Sequence, residues 1–131
     1  MLNEDVKNLL KAQMWDIATV SETGELNVVP VAFKDVAEDG TLLVGDVFLA
    51  TTLANVQANG KVAVSVYDPS NLTGYQIKGT ASYITAGEVV DTFKAAVESM
   101  FNGAATAKGA LLITPERVIV TTPGADNKKE L

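Results

Sequence analysis

Between Gly45 and Lys61 the chain reads GDVFLATTLANVQANGK, and Thr51 and Thr52 stand where an apolar run gives way to a helix-like one. The chemistry open to that pair is anion binding. A helix N-terminus presents free N–H groups and partial positive charge, and two hydroxyls beside it add donors suited to a phosphate. A simpler role fits the same letters, with Thr52 as an N-cap and Thr51 closing the strand. No GxxxxGK[ST] or GxGxxG run occurs, so neither a P-loop nor a dinucleotide fingerprint is available. A second candidate is LNVVPVAF. Pro30 has no ladder N–H to give, so it marks an edge, a bulge or a backbone stretch free to meet the polar rim of a heterocycle. Lys78, in GYQIKG, either reaches such a ligand or is a surface strand residue. Asp46, beside a glycine at a bend, is a lone acid.

What the chain lacks narrows the chemistry further. It has no cysteine and no histidine, which removes thiolate metal sites, thiol nucleophiles, the usual general base and the commonest metal ligand. A Ser-His-Asp arrangement cannot be assembled, so any reaction would borrow its reactive group from a cofactor. No metal site is expected. The net charge is −6 with a single arginine, Arg117, and no basic cluster, which argues against a nucleic-acid partner. The opening MLNEDVKNLL is acidic and amphipathic, unlike a signal or transit peptide, and no apolar run approaches membrane-spanning length. A cytoplasmic protein is the expectation.

These candidates need elements to hold them. At 131 residues and 47% apolar content one domain with a real core is expected. Residues 1–14 read as an N-terminal helix, with Val6, Leu9, Leu10 and Met14 on one face. WDIATVS and LNVVPVAF form a hairpin across ETGE, DVAEDG is a turn, and TLLVGDVFLA is a third strand. TLANVQAN is a short helix stopped by Gly60, and KVAVSVYD and GYQIKGTASYIT are strands. GEVVDTFKAAVESMF is the best helix, with Val90, Phe93, Val97, Met100 and Phe101 on its apolar stripe. ALLITPERVIVTTPG gives one or two closing strands, and 124–131 reads as a flexible, solvated tail. Short turns and no sustained βαβ alternation favour a small antiparallel barrel with flanking helices.

In order and spacing these pieces resemble the pyridoxamine 5′-phosphate oxidase-like, FMN-binding split-barrel family, in particular its small flavin-nucleotide-binding members. The likeness runs through DIATVSETGELNVVPVAF, the corner LATTLANVQANGKVAVSV, GYQIKGTASYIT and the final ALLITPERVIVTTPG. It implies a mainly β fold, a six-stranded antiparallel Greek-key split barrel, and a homodimer with FMN at the subunit interface. It further implies that the backbone of Val28, Val29, Pro30, Val31 and Ala32 contacts the flavin ring, and that Asp46 and Val47 line the ring or ribityl chain. Thr51, Thr52 and Asn55 would hold the phosphate, with Lys78 as a basic residue near the cofactor. Members commonly carry a lysine or arginine where this chain has Thr51. The phosphate would then rest on hydroxyls, helix N–H groups and Lys78, or on a base from the other subunit. The chain also lacks the C-terminal extension, with arginine and histidine, by which true pyridoxamine-phosphate oxidases bind substrate. The implied function is a flavin-dependent oxidoreductase or reductase, with a non-catalytic flavin carrier or a cofactor-free dimeric scaffold as the alternatives.

Overall fold

The structure, a computed structural model, describes residues 2–131, so the first residue of the expected helix 1–14 lies outside the described residues. Ten elements follow in order: α1 (Glu4–Ala12), β1 (Trp15–Val20), β2 (Leu26–Val31), β3 (Lys34–Val36), β4 (Leu42–Asp46), α2 (Thr51–Asn59), β5 (Lys61–Asp68), β6 (Thr73–Ile84), α3 (Glu88–Met100) and β7 (Gly109–Val120). The fold is mainly β, as the sequence implies. The strands number seven rather than six, because Lys34–Val36, which overlaps the start of the expected turn DVAEDG, pairs with Leu42–Val44. Three residues are too few to show a two-residue period of their own.

All seven strands join one antiparallel sheet in the order β2-β1-β5-β6-β7-β4-β3. Its two outermost strands, β2 and β3, are separated in the chain by Ala32 and Phe33 alone. Edges so tethered cannot lie at opposite ends of a flat sheet, so the sheet curls until they meet, as its right-handed twist favours. The Gly45 N–H donates to the Phe33 carbonyl at 2.9 Å and fastens this closure. The result is a Greek-key barrel split between β2 and β4. Pro30 sits on β2, an edge strand, where a proline need cost no ladder bond.

Alternation places the core. Along β1, Trp15, Ile17 and Thr19 point inward, and β5 sends Val62, Val64 and Val66 to the same side. With Leu42, Ile77, Leu111 and Ile113 they fill the barrel. Helix α1 starts at a proper cap, the Asn3 side chain accepting from the Val6 N–H at 3.0 Å, and covers one end of the barrel with Val6 and Leu10. The Trp15 indole N–H donates to the Leu10 carbonyl at 2.7 Å, tying helix to strand. A second apolar cluster lies under α3, where Val90, Phe93 and Val97 meet Val47, Ala107 and Ala110. Helix α3 carries its stripe as far as Val97, whereas Met100 and Phe101 emerge into solvent. The closing segment is one strand, with a register shift where Gly79 meets Pro115 and Glu116 loops out. The C-terminal residues are solvent-exposed, yet they return along β7: the Leu131 N–H donates to the Val118 carbonyl at 2.8 Å, and Glu130 pairs with Arg117.

Candidate functional site

The split in the barrel opens as a cleft of about 430 Å³, within the range that small-molecule sites occupy. One wall is β2, through Asn27, Val29, Pro30 and Val31, continuing into Ala32 and Phe33. The other wall is Gly45 and the loop Val47-Phe48-Leu49-Ala50, and the floor is the start of α2, Thr51 and Thr52. An unpaired strand edge and a helix N-terminus therefore meet in one concavity.

That N-terminus is open. The N-cap residue is Ala50, which offers no side-chain cap. The first backbone bond of the helix runs from the Ala54 N–H to the Ala50 carbonyl at 3.0 Å. The N–H groups of Thr51, Thr52 and Leu53 thus precede any intrahelical acceptor. Thr52 lies inside the first turn and is not the cap that its position before a helix suggests. Gly60 ends the helix in the left-handed region at φ 70°, as expected.

A buried polar network stands behind this floor. Asn27 Nδ2 donates to Thr52 Oγ1 at 3.0 Å and to Thr19 Oγ1 at 3.4 Å. Asn55 Nδ2 donates to the same Thr19 oxygen at 3.0 Å. Thr19, Thr52 and Asn55 are all buried, so their polar atoms depend on one another rather than on water.

The loop opposite is held by Asp46, whose side chain is fully buried. Its carboxylate accepts from the Leu49 N–H at 3.1 Å and from the Tyr83 hydroxyl at 2.6 Å. Burial, then the hydrogen bond and charge of Asp46, push the Tyr83 phenol up to about 12, so it stays protonated and donates. Asp46 is the staple that shapes the cleft wall.

Of the expected site residues, Val29, Pro30, Val31, Ala32, Val47, Thr51 and Thr52 come together in the cleft lining. Val28 turns its side chain to the outer face and leaves only its backbone at the edge. Asp46 and Asn55 lie behind the lining rather than in it. Lys78 stands on the outer face of β6, between the inward Ile77 and Gly79, in a cross-strand row with Ala63 and Arg117. Seven lining residues lay outside the expected set: Met14, Asn27, Phe33, Gly45, Phe48, Leu49 and Ala50. Asn27 had a legible signal, an amide on the inward phase of an otherwise apolar β2. The others depend on how the chain leaves α1, β2 and β4. None of the lining side chains is titratable.

The protein is similar to several others. HupZ of Group A Streptococcus superposes with a TM-score of 0.83 at 26% identity, over 96% of this chain and 98% of that one. An FMN-binding protein of Syntrophomonas wolfei gives a TM-score of 0.80 over 91% of this chain and 85% of its own, at 18% identity, a likeness of fold. An uncharacterized protein of Methanocaldococcus jannaschii is 32% identical over 130 residues, 98% of this chain and 86% of that protein. The family model described as pyridoxamine 5′-phosphate oxidase matches residues 2–125. With a split barrel of matching topology and a match over nearly its full length, the chain belongs to the pyridoxamine 5′-phosphate oxidase family.

Proposed function

We propose that this chain is a cytoplasmic FMN-binding protein, a homodimer with the flavin at the subunit interface, serving as a flavin-dependent oxidoreductase. The observation that carries the reading is the meeting, in one cleft, of the free β2 edge with the uncapped start of α2. An aromatic ring with a polar rim suits an apolar wall whose backbone donors and acceptors are unpaired. A phosphate suits the N–H groups of Thr51, Thr52 and Leu53 and the two hydroxyls. No lysine or arginine lines the cleft, so neutral donors carry the phosphate within one protomer. A base from the second protomer is the other source of charge.

Bound there, FMN would supply hydride or electron transfer. The chain's own residues bind and orient: Val29 and Val31 exclude water along one wall and Val47 along the other, and Asp46 fixes the loop of that second wall through Leu49. The rim supports the reading of a second copy. Phe48 and Met14, both in the cleft lining, are 77% and 56% exposed, and the rings of Phe33 and Phe48 lie 6.1 and 6.3 Å from that of Phe101. Apolar side chains so exposed beside a cleft mark a surface that a partner covers.

A second reading, a flavin carrier that performs no chemistry on a substrate, is favoured by the absence of any titratable side chain in the lining. A cofactor-free scaffold is the third, from the missing base at the phosphate corner. Absorbance of the purified protein, before and after added FMN, tests the first point: a protein that stays colourless and takes up no FMN removes the first two readings. Stopped-flow mixing with NADH or NADPH then separates enzyme from carrier, since rapid bleaching of the bound flavin supports the enzyme. Thr52→Val is expected to weaken FMN about tenfold or more, a larger effect than the few degrees of melting temperature that go with the lost Asn27 bond. A variant that melts early yet binds FMN normally would make Thr52 a purely structural residue.

A further inference from the structure

The network beneath the cleft does more than satisfy buried atoms. A threonine hydroxyl has one hydrogen to give and two positions at which to accept. Thr52 Oγ1 accepts from Asn27 Nδ2, and among the described residues no hydrogen bond is donated by Thr52. Its proton is therefore turned away from Asn27 and left for something else, although the side chain is only 1% exposed. Asn27 makes a second bond of this kind. Its second amide hydrogen reaches Thr19 Oγ1, an oxygen that also accepts from Asn55 Nδ2. Rotating the Asn27 amide would turn its oxygen to the same two hydroxyls, and Thr52 would then donate to it, so the sense of this amide decides whether the Thr52 proton is left to the cleft.

We infer that Asn27 is a positioning residue that fixes Thr52 as a donor and so makes the cleft select a phosphorylated flavin over its dephosphorylated form. The inference rests on the flavin reading above and adds to it the residue that discriminates the phosphate. A donor aimed from a buried site at a helix N-terminus is matched by a charged phosphate oxygen. The ribityl hydroxyl of riboflavin, neutral and itself a donor, offers a weaker match. Had residue 27 been an acceptor, Thr52 would donate to it and the corner would lose a donor.

The test is a double-mutant cycle on FMN and riboflavin binding, read by quenching of flavin fluorescence in Asn27→Ala, Thr52→Val and the double variant. Asn27→Ala is expected to weaken FMN by about fivefold to tenfold and riboflavin by less than about twofold. In the Thr52→Val background the Asn27→Ala change is expected to have no further effect on FMN, because Asn27 acts through that hydroxyl. Equal losses for both flavins, or additive losses in the cycle, overturn the inference. If Asn27→Ala does not fold, Asn27→Asp keeps the shape and reverses the hydrogen bond, and it must lower the preference for FMN over riboflavin or the inference fails. Wild-type protein that binds neither flavin overturns the underlying reading and this inference together, an outcome distinct from normal FMN binding with an unchanged preference in the variants.

Discussion

Removing the Tyr83 hydroxyl strips the Asp46 carboxylate of one of its two donors. Asp46 has no exposed surface, and the bond to be lost is 2.6 Å long. In Tyr83→Phe the Leu49 N–H remains at 3.1 Å on Oδ1, while Oδ2 keeps no donor among the described residues. Leaving one side of a buried charged acceptor unsatisfied costs about 2 kcal/mol, in a range of roughly 1–3. For a domain of this size each kcal/mol moves the melting temperature by about 3–5 °C, so a fall of about 6–10 °C is expected. Circular dichroism melts at neutral pH measure it. The alkaline limb supplies an independent readout. Tyr83 ionises at about 12 in the folded protein against 10.0 for an ordinary tyrosine, so folding favours the protonated phenol. The stability it adds is fully present below about pH 10 and is lost as pH rises through about 12. Tyr83→Phe should remove that part of the alkaline decline. Flavin binding should weaken severalfold as well, since Asp46 holds the loop that walls the cleft. A variant melting within about 1 °C of wild type, with the same alkaline profile, would refute Asp46 as the staple of the loop.

Other perturbations probe the rim and the frame. Phe48→Glu places a charge on an aromatic that is 77% exposed, so the isolated fold should keep its stability while light scattering shows the mass falling from dimer to monomer and FMN affinity dropping with it. A variant that stays dimeric would move the interface elsewhere. Gly79→Ala would drive a methyl into the Thr114 backbone carbonyl at the β6–β7 bulge, an atom that cannot swing aside as a side chain can. A loss of about 3 kcal/mol or more in urea unfolding is expected. Gly24→Ala, at φ +86° with open space around it, should cost only about 1–2 kcal/mol, and equal costs at the two sites would refute the crowding argument.

How far the letters could be read depends on how local each cause is. Gly60, Pro30 and the alternation of β1 and β5 are written in neighbouring residues, and they lie in the fold as the sequence implies. Lys78 was readable by the same rule. Its neighbours Ile77 and Gly79 point inward, which sends the lysine to the outer face of β6, outside the cleft lining. The family position spoke for a role there and the strand period against it. Thr52 is the opposite case. Locally it is a helix cap, and that preference is overridden by Asn27, 25 residues earlier, which holds the hydroxyl beneath the cleft while Ala50 takes the cap position without a side-chain bond. Asp46 is similar, since its partner Tyr83 lies 37 residues onward across the sheet. Met14, placed by helical period on the buried face, falls beyond the end of α1 at Ala12 and turns out to the cleft rim. Each departure lies where two distant segments share one polar atom or where an element stops a residue or two early. Those are the places where the fold departs from local rules to build a concavity, so the exceptions to the local reading cluster around the cleft. The open start of α2, with Ala50 and Thr51 exposed, keeps N–H groups that no intrahelical acceptor takes. Such a start beneath a free strand edge, beside a threonine that donates no hydrogen bond among the described residues, suits a ligand that accepts hydrogen bonds there, as the phosphate proposed above would with the most charge.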